Sequence, residues 1–255
     1  MSGAVSPSAT PAISAEHLTK RYGDAVVVDD LSFTVARGEI VGFLGPNGAG
    51  KTTTLGMLLG LLNPTQGTVC ILGLPMPEER QQILARVNFT SPYVSLPGNL
   101  TVAENLTVFA RLYGVSGARA RIDRLLERFG LAPMRDRAAG RLSSGEGTRL
   151  GLVKALLNDP DVLFLDEPTA SLDPDGADRV REALREIRSE RAMTLFYTSH
   201  NMQEVERLSD RILFLHRGRL VADGAPDAVL RRFERDTLER MFLDLAREEE
   251  GAWTR

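Results

Sequence analysis

Cysteine is almost absent from this sequence. Cys70 is the only one in 255 residues, so no internal disulfide can form. It sits in an apolar, strand-like run, which predicts a buried, inert thiol. Lysine is scarce as well. Lys20, Lys51 and Lys154 are the only three, and every other basic side chain is arginine, a bias we read as genomic. No apolar run approaches the roughly 18–20 residues that cross a bilayer. The first ten residues hold neither a charged side chain nor an apolar core segment, which is not the pattern of a secretory signal. The expectation is a cytosolic protein unless something membrane-bound recruits it. A net charge of −3 argues against a nucleic-acid binder with a broad basic face but does not exclude a local patch. What remains is ordinary globular composition, 43% hydrophobic and 25% charged, in a length that suits one large domain or two small ones.

The chain divides by pattern. Residues 1–11, rich in Ser, Ala and Pro, predict a disordered tail. Residues 13–21 predict an edge strand that ends at the turn Tyr22, Gly23, Asp24. Leu31, Phe33 and Val35 alternate with polar residues, as in a half-buried strand. Apolar runs over 39–44, 68–72, 162–165 and 194–198 predict further strands, and 87–90 a short buried one. Segments 53–62, 78–86 and 175–190 predict helices. From 101 to 158 the pattern becomes helical, with Ile122, Leu125, Leu126 and Phe129 on one face. Arg111, Arg119, Arg121, Arg124 and Arg128 in this region either meet a partner or form a solvated face. Residues 211–215 and 219–222 predict a closing hairpin. Leu238, Met241, Phe242 and Leu245 form the apolar stripe of a terminal helix that packs on its own domain or serves an interface. Strands alternating with helices imply an α/β fold with a largely parallel sheet. No internal repeat is present.

The stretch around which this is organised is Gly45, Pro46, Asn47, Gly48, Ala49, Gly50, Lys51, Thr52. It reads G-x-x-x-x-G-K-[ST] between a strand-like and a helix-like run. Glycines allow backbone N–H groups to converge on an anion, and the helix that follows turns its positive end to the same anion. Lys51 would reach the β and γ phosphates of a nucleotide and the Thr52 hydroxyl would take Mg²⁺. Asp166 and Glu167 directly end the apolar run 162–165. One carboxylate there can hold Mg²⁺ and the second can polarise an attacking water. His200 follows another buried strand and falls beside the same phosphates. Leu142 to Glu146 opens a helix with Ser143 as a capping serine. His17 and His216 receive no role.

These motifs, in this order and spacing, resemble the nucleotide-binding subunits of ABC transporters over residues 13–245. Gly45 to Thr52, with Thr53 beside it, is similar to Walker A. Ser143, Ser144, Gly145 and Glu146, with Arg149, resemble the signature motif. Residues 162–168 resemble Walker B with Glu167 as the catalytic glutamate. Ser171 and Asp173 resemble the D-loop, His200 the switch histidine, and Tyr22 the aromatic that stacks on adenine. The resemblance implies a RecA-like P-loop NTPase core (residues 12–90 and 159–235) with an antiparallel β subdomain. It also implies an inserted α-helical subdomain (91–158) and a terminal amphipathic helix and tail (236–255). It further implies ATP and Mg²⁺, hydrolysis by Glu167 and His200, and a second nucleotide-binding subunit, most simply another copy. That copy's Ser143 and Gly145 would close on the γ-phosphate. A separate multi-helix membrane permease would be driven, with the chain peripheral on the inner face of the membrane and no nucleic acid bound.

Two motifs depart from the family pattern. No glutamine stands in the stretch Phe89, Thr90, Ser91, Pro92, Tyr93, where the family usually has an amide ligand to Mg²⁺; Ser91 is the candidate replacement. The signature is LSSGE, so Ser144 adds a hydroxymethyl group and Glu146 a charge. The terminal segment 238–245 resembles the ends of ATPases that partner ABC-2 type exporters. The alternatives are a soluble ABC ATPase acting on DNA or ribosomes, and a P-loop kinase. The first usually carries two modules or coiled-coil or zinc insertions. The second leaves the signature segment unexplained.

Overall fold

A computed structural model describes residues 10–91 and 96–250, with residues 245–250 described by backbone alone. Most of the expected tail, residues 1–9, lies outside the described residues, as does Pro92. The chain forms two sheets. The larger holds β3 (Ile40–Leu44), β6 (Val87–Thr90), β7 (Val162–Asp166), β8 (Thr194–Thr198), β9 (Arg211–His216) and β10 (Arg219–Gly224) in the order β10-β9-β3-β8-β7-β6. Its β9-β3-β8-β7-β6 pairs are all parallel, and only the β9–β10 hairpin is antiparallel. The smaller sheet is antiparallel and holds β1 (Ile13–Tyr22), β2 (Ala25–Val35), β4 (Gln66–Ile71) and β5 (Leu74–Met76), in the order β2-β1-β4-β5.

The larger sheet is covered on both faces, and strand periodicity sorts its side chains between them. Leu163, Leu165, Leu195, Tyr197, Ile212 and Phe214 face a core shared with helices. Val162, Phe164, Phe196, Leu213 and Leu215 face a second core beneath the antiparallel sheet. Phe196 is central to the second core, with ring centroids of Phe43, Phe164 and Phe33 at 5.2, 5.8 and 5.9 Å. Each such fully buried ring contributes about 1.5–3 kcal/mol relative to exposure.

The helices are α1 (Lys51–Leu58), α2 (Arg80–Arg86), α3 (Val102–Leu112), α4 (Ala118–Arg128), α5 (Ser144–Ala155), α6 (Pro174–Arg191), α7 (Met202–Leu208), α8 (Pro226–Arg232) and α9 (Leu238–Glu250). Ile122, Leu125, Leu126 and Phe129 are all buried, as their spacing predicts. On α9, Leu238 and Met241 bury against the chain's own core, and the Phe242 ring lies 6.3 Å from Phe214. The Leu245 side chain is outside the described residues.

Three expectations change. β1 is not an edge strand, because β4, about 50 residues downstream, pairs with its free side. Arg121 is not on a solvated face. It is buried and donates to the carbonyls of Leu156 and Leu157, just past the end of α5, and to Asp159. Those carbonyls lie where the helical hydrogen-bond ladder has run out, and a guanidinium has donors to spare. Cys70 is half-buried rather than buried; partial burial, then Glu16 and Glu78, push its thiol up, so it stays protonated.

The β9–β10 turn braces the loop before α1. The Gly218 N–H donates to the Ala49 carbonyl at 3.0 Å, and the Gly218 carbonyl accepts from the Asp29 N–H at 2.9 Å. Gly218 has φ +77°, and a Cβ there would stand 2.7 Å from the Val27 carbonyl oxygen.

Candidate functional site

The loop 45–50 leaves β3 at the carboxyl end of its strand and enters α1 at Lys51. Gly45 holds φ +151° and passes so close to β9 that a Cβ would lie 2.2 Å from the Leu215 carbonyl oxygen. No other residue fits there. The first turn of α1 carries no acidic side chain and no side-chain cap, so its N–H groups are left for an anion. The Lys51 ammonium folds back onto the carbonyls of Gly45 and Pro46 at 2.5 and 2.9 Å. Burial holds its pKa below the ordinary lysine value, and the carboxylates of Glu167 and Asp166 oppose that shift.

Asn47, Gly48, Gly50, Lys51, Thr52 and Thr53 share a cavity of about 270 Å³ with Asp166, Glu167, Thr198 and His200. The parallel register explains the meeting. Asp166 pairs with Thr198, so the ends of β7 and β8 arrive side by side next to the loop. The Asp166 carboxylate is held at both oxygens: Oδ1 accepts from the Thr198 hydroxyl at 2.7 Å and Oδ2 from the Ser91 hydroxyl at 3.2 Å.

Glu167 takes a left-handed backbone, φ +50°. This is unfavourable by about 1–2 kcal/mol for a residue with a Cβ. Its N–H is shared between the Thr198 carbonyl and hydroxyl, both at 3.2 Å. Its side chain meets the His200 N–H at 3.2 Å and the His200 Nε2 at 3.3 Å. Burial pushes the Glu167 carboxyl above the usual range; His200 opposes this, and the charges of Asp166 and Glu204 add to it. A carboxylate with a raised pKa, facing a phosphate-type loop, is suited to take a proton from water.

Thr52 and Asp166 supply hard oxygen donors to this cavity. Among the described residues, no group of three or more His, Cys, Asp or Glu is arranged to hold a metal. That donor set fits Mg²⁺, which keeps several waters and takes much of its coordination from substrate phosphates.

The remaining sequence candidates lie elsewhere. Tyr22, half-exposed at the end of β1, is outside this cavity, with the Lys20 ammonium 5.2 Å from its ring centroid. Ser143 and Glu146 form a capping box on α5: the Ser143 hydroxyl accepts from the Glu146 N–H at 3.2 Å and the Glu146 carboxylate accepts from the Ser143 N–H at 2.7 Å. That backbone bond holds the Glu146 carboxyl below its ordinary value. Gly145 packs against the Ser171 carbonyl and Leu172, where a Cβ would stand 3.3 and 3.2 Å away, a tight contact. Asp173 caps α6, accepting from the Gly176 N–H at 2.8 Å. A second cavity, of about 320 Å³, joins Ser91, Ser143, Ser144 and Ser171 to Asp166 and Glu167. The two carboxylates thus wall both cavities. Sequence reasoning passed over Thr198 as a site residue. The signal was its place in the buried strand, two residues before His200.

The family model described as ABC transporter matches residues 28–170. The Nod factor export ATP-binding protein I of Burkholderia orbicola is 47% identical over 220 residues, 86% of this chain and 72% of that protein. Its counterpart from Bradyrhizobium diazoefficiens is 42% identical over 221 residues, again 86% and 72% of the two chains. A solved ATP-binding subunit of an ABC transporter superposes with a TM-score of 0.84 at 30% identity, covering 92% of this chain and 99% of that one. The cbiO1 protein from Clostridium perfringens, part of the transporter complex cbiONQ, gives 0.78 at 27% identity, covering 88% and 92%. The family match spans more than half of the sequence, and the two Nod factor export proteins are 47% and 42% identical over most of both chains: this chain belongs to the ABC transporter family, as an ATP-binding and ATP-hydrolysing subunit.

Proposed function

We propose that this chain is the ATPase half of an ABC-2 type exporter, working as a pair of copies that drives a separate multi-helix permease. The observation that carries the reading is the meeting of Lys51, Asp166, Glu167 and His200 around one cavity at the head of α1. Export, rather than import, rests on the likeness to the Nod factor export proteins. The phosphates lie in the loop from Gly45 to Thr53, on the N–H groups of α1 and the Lys51 ammonium, and Tyr22 stacks on the adenine. Glu167 orients the attacking water and accepts its proton, while His200 contacts the γ-phosphate. Thr52 and Asp166, with Ser91 behind Asp166, are the residues that would hold Mg²⁺. When bound it neutralises charge on the phosphates.

Two copies meet head to tail. Ser143, Ser144, Gly145 and Glu146 of one copy close over the nucleotide of the other, and Ser171 and Asp173 line the seam. ATP is then a ligand shared by both copies, so it favours the closed pair, and hydrolysis releases it. In this reading residues 12–90 and 159–235 form the nucleotide core, 91–158 the helical signature unit and 236–255 a terminal helix and tail. The chain itself has no helix among the described residues long and apolar enough to cross a membrane. It is held on the inner face of the membrane by its permease.

The test is co-purification of a tagged chain from detergent-solubilised membranes of its native cell. Recovery of a multi-helix membrane protein whose association changes with nucleotide supports the exporter. Recovery only from the soluble fraction, with nucleic acid or ribosomes attached, assigns the chain to the soluble ABC ATPases instead.

A further inference from the structure

A second buried carboxylate stands behind the two arms that carry Glu167 and His200. Glu204 lies in the first turn of α7 and is 1% exposed. Its Oε2 accepts from the Thr169 hydroxyl at 2.6 Å and from the Ser199 hydroxyl at 2.9 Å. Thr169 follows Glu167 by two residues, and Ser199 directly precedes His200. The Glu204 N–H donates to Asn201 Oδ1 at 3.1 Å, and the Asn201 N–H donates to Ser199 Oγ at 3.1 Å. The other carboxylate oxygen, Oε1, is buried and meets no donor among the described residues. A buried carboxylate with one oxygen left without a donor is a burden on folding. Its presence calls for a reason other than stability.

The contacts close a ring. Glu167 touches His200 through side chain and backbone. The chain runs from His200 to Ser199, the Ser199 hydroxyl reaches Glu204, Glu204 reaches Thr169, and Pro168 returns the chain to Glu167. Nearer the strand ends the two arms are joined by the bonds of Asp166 and the Glu167 N–H to Thr198; beyond Thr198, besides Glu204, they are joined by the Glu167–His200 contacts, both longer than 3 Å. Two hydroxyl donors converging on one carboxylate oxygen fix it from two directions, which suits a clamp. Glu204 itself does not line the nucleotide cavity.

We propose that Glu204 is a positioning residue that holds the Glu167 and His200 arms in register from beneath the nucleotide site. The inference rests on the ATPase reading above. It predicts an effect on turnover and none on nucleotide affinity, because Lys51 and the loop around it are untouched.

The test is steady-state ATP hydrolysis by the full chain, with nucleotide titration and thermal melts run on the same samples. Glu204→Ala should lower kcat on the order of 10²-fold, the loss expected from a misplacement of about 1 Å. KM for ATP should stay within about twofold. Glu204→Gln keeps an acceptor oxygen for both hydroxyls and should recover kcat to within about tenfold of wild type. Thr169→Val and Ser199→Ala each remove one donor and should lower kcat by about tenfold, again at constant KM; they decide the matter if Glu204→Ala does not fold. Wild-type kcat in folded, ATP-binding Glu204→Ala overturns the inference, as does a loss confined to KM or to melting temperature. A wild-type chain that binds but never hydrolyses ATP would sink the ATPase reading instead, so the two failures are distinct.

Discussion

Replacing Glu167 with glutamine should make the protein more stable and nearly inactive. The Glu167 side chain is 16% exposed, and burial is the largest cause of its raised pKa, with the His200 contacts opposing. For an acid whose folded pKa is raised, the stabilising contribution is present below the ordinary carboxylate value and lost as pH rises through the raised one. Near neutral pH the ionised side chain therefore opposes folding, and glutamine does not carry that charge. The variant's advantage in melting temperature should be full above the raised titration range. It should close as pH falls toward 4.5, the ordinary glutamate value. Glutamine still offers an oxygen to the His200 N–H, 3.2 Å from the present carboxylate, so the arm should stay in place. What it cannot do is accept a proton from water. Loss of a general base lowers turnover by about 10²–10⁴-fold, or about 3–5 kcal/mol of barrier. Calorimetric melts from neutral to acidic pH, together with phosphate release at saturating ATP, read both arms. A variant less stable than wild type at neutral pH refutes the burial argument, and unchanged phosphate release refutes the base assignment.

Two further outcomes follow from neighbouring contacts. Thr198→Val keeps the β-branched shape of a buried strand residue but leaves Asp166 Oδ1 without its donor. It should lower stability by about 2 kcal/mol, or about 4–8 °C in Tm, and a thermal melt checks it; a loss under 1 °C would show that the hydroxyl contributes nothing net. Glu146→Gln preserves the capping box, since an amide oxygen can also accept from the Ser143 N–H, but removes a negative charge from the end of α5. In a Glu167→Gln background, ATP-driven pairing should tighten by about 1 kcal/mol, about fivefold, at low salt. Sedimentation at rising salt should show the gain shrinking. An equal or weaker Kd at low salt would mean that Glu146 carries no penalty for closure.

Much of the site could be read before any fold was known, because its chemistry is local. The glycines of the loop, the buried run before Asp166 and the position of His200 are each set by a few neighbouring residues. What escaped was non-local. Nothing around Ile13–Tyr22 announces that β4 will pair with its free side, so β1 read as an edge. Arg121 looks like one more arginine on a polar helix, and only the end of α5, packed across from it, makes it a buried partner of backbone carbonyls. Glu204 has the same character. In sequence it is an acid in the first turn of a short helix, an ordinary capping position. Its burial depends on Thr169 and Ser199, 35 and 5 residues away along the chain. Glu167 is the converse case. Its chemistry was legible, but its left-handed backbone was not, since β-strand ends give no advance sign of where the chain will kink.

The brace from Gly218 has a bearing on how this protein is made. Every residue of the loop 45–53, Asp166, Glu167 and His200 has been added to the growing chain by position 200. Yet the loop still lacks the N–H that Gly218 gives to Ala49, and β3 still lacks β9 along one side. A growing chain at that stage carries all the recognisable motifs without a finished place to put a nucleotide. ATP therefore has no finished site to stabilise in the first 200 residues as they emerge; its help arrives only once the closing hairpin has been added.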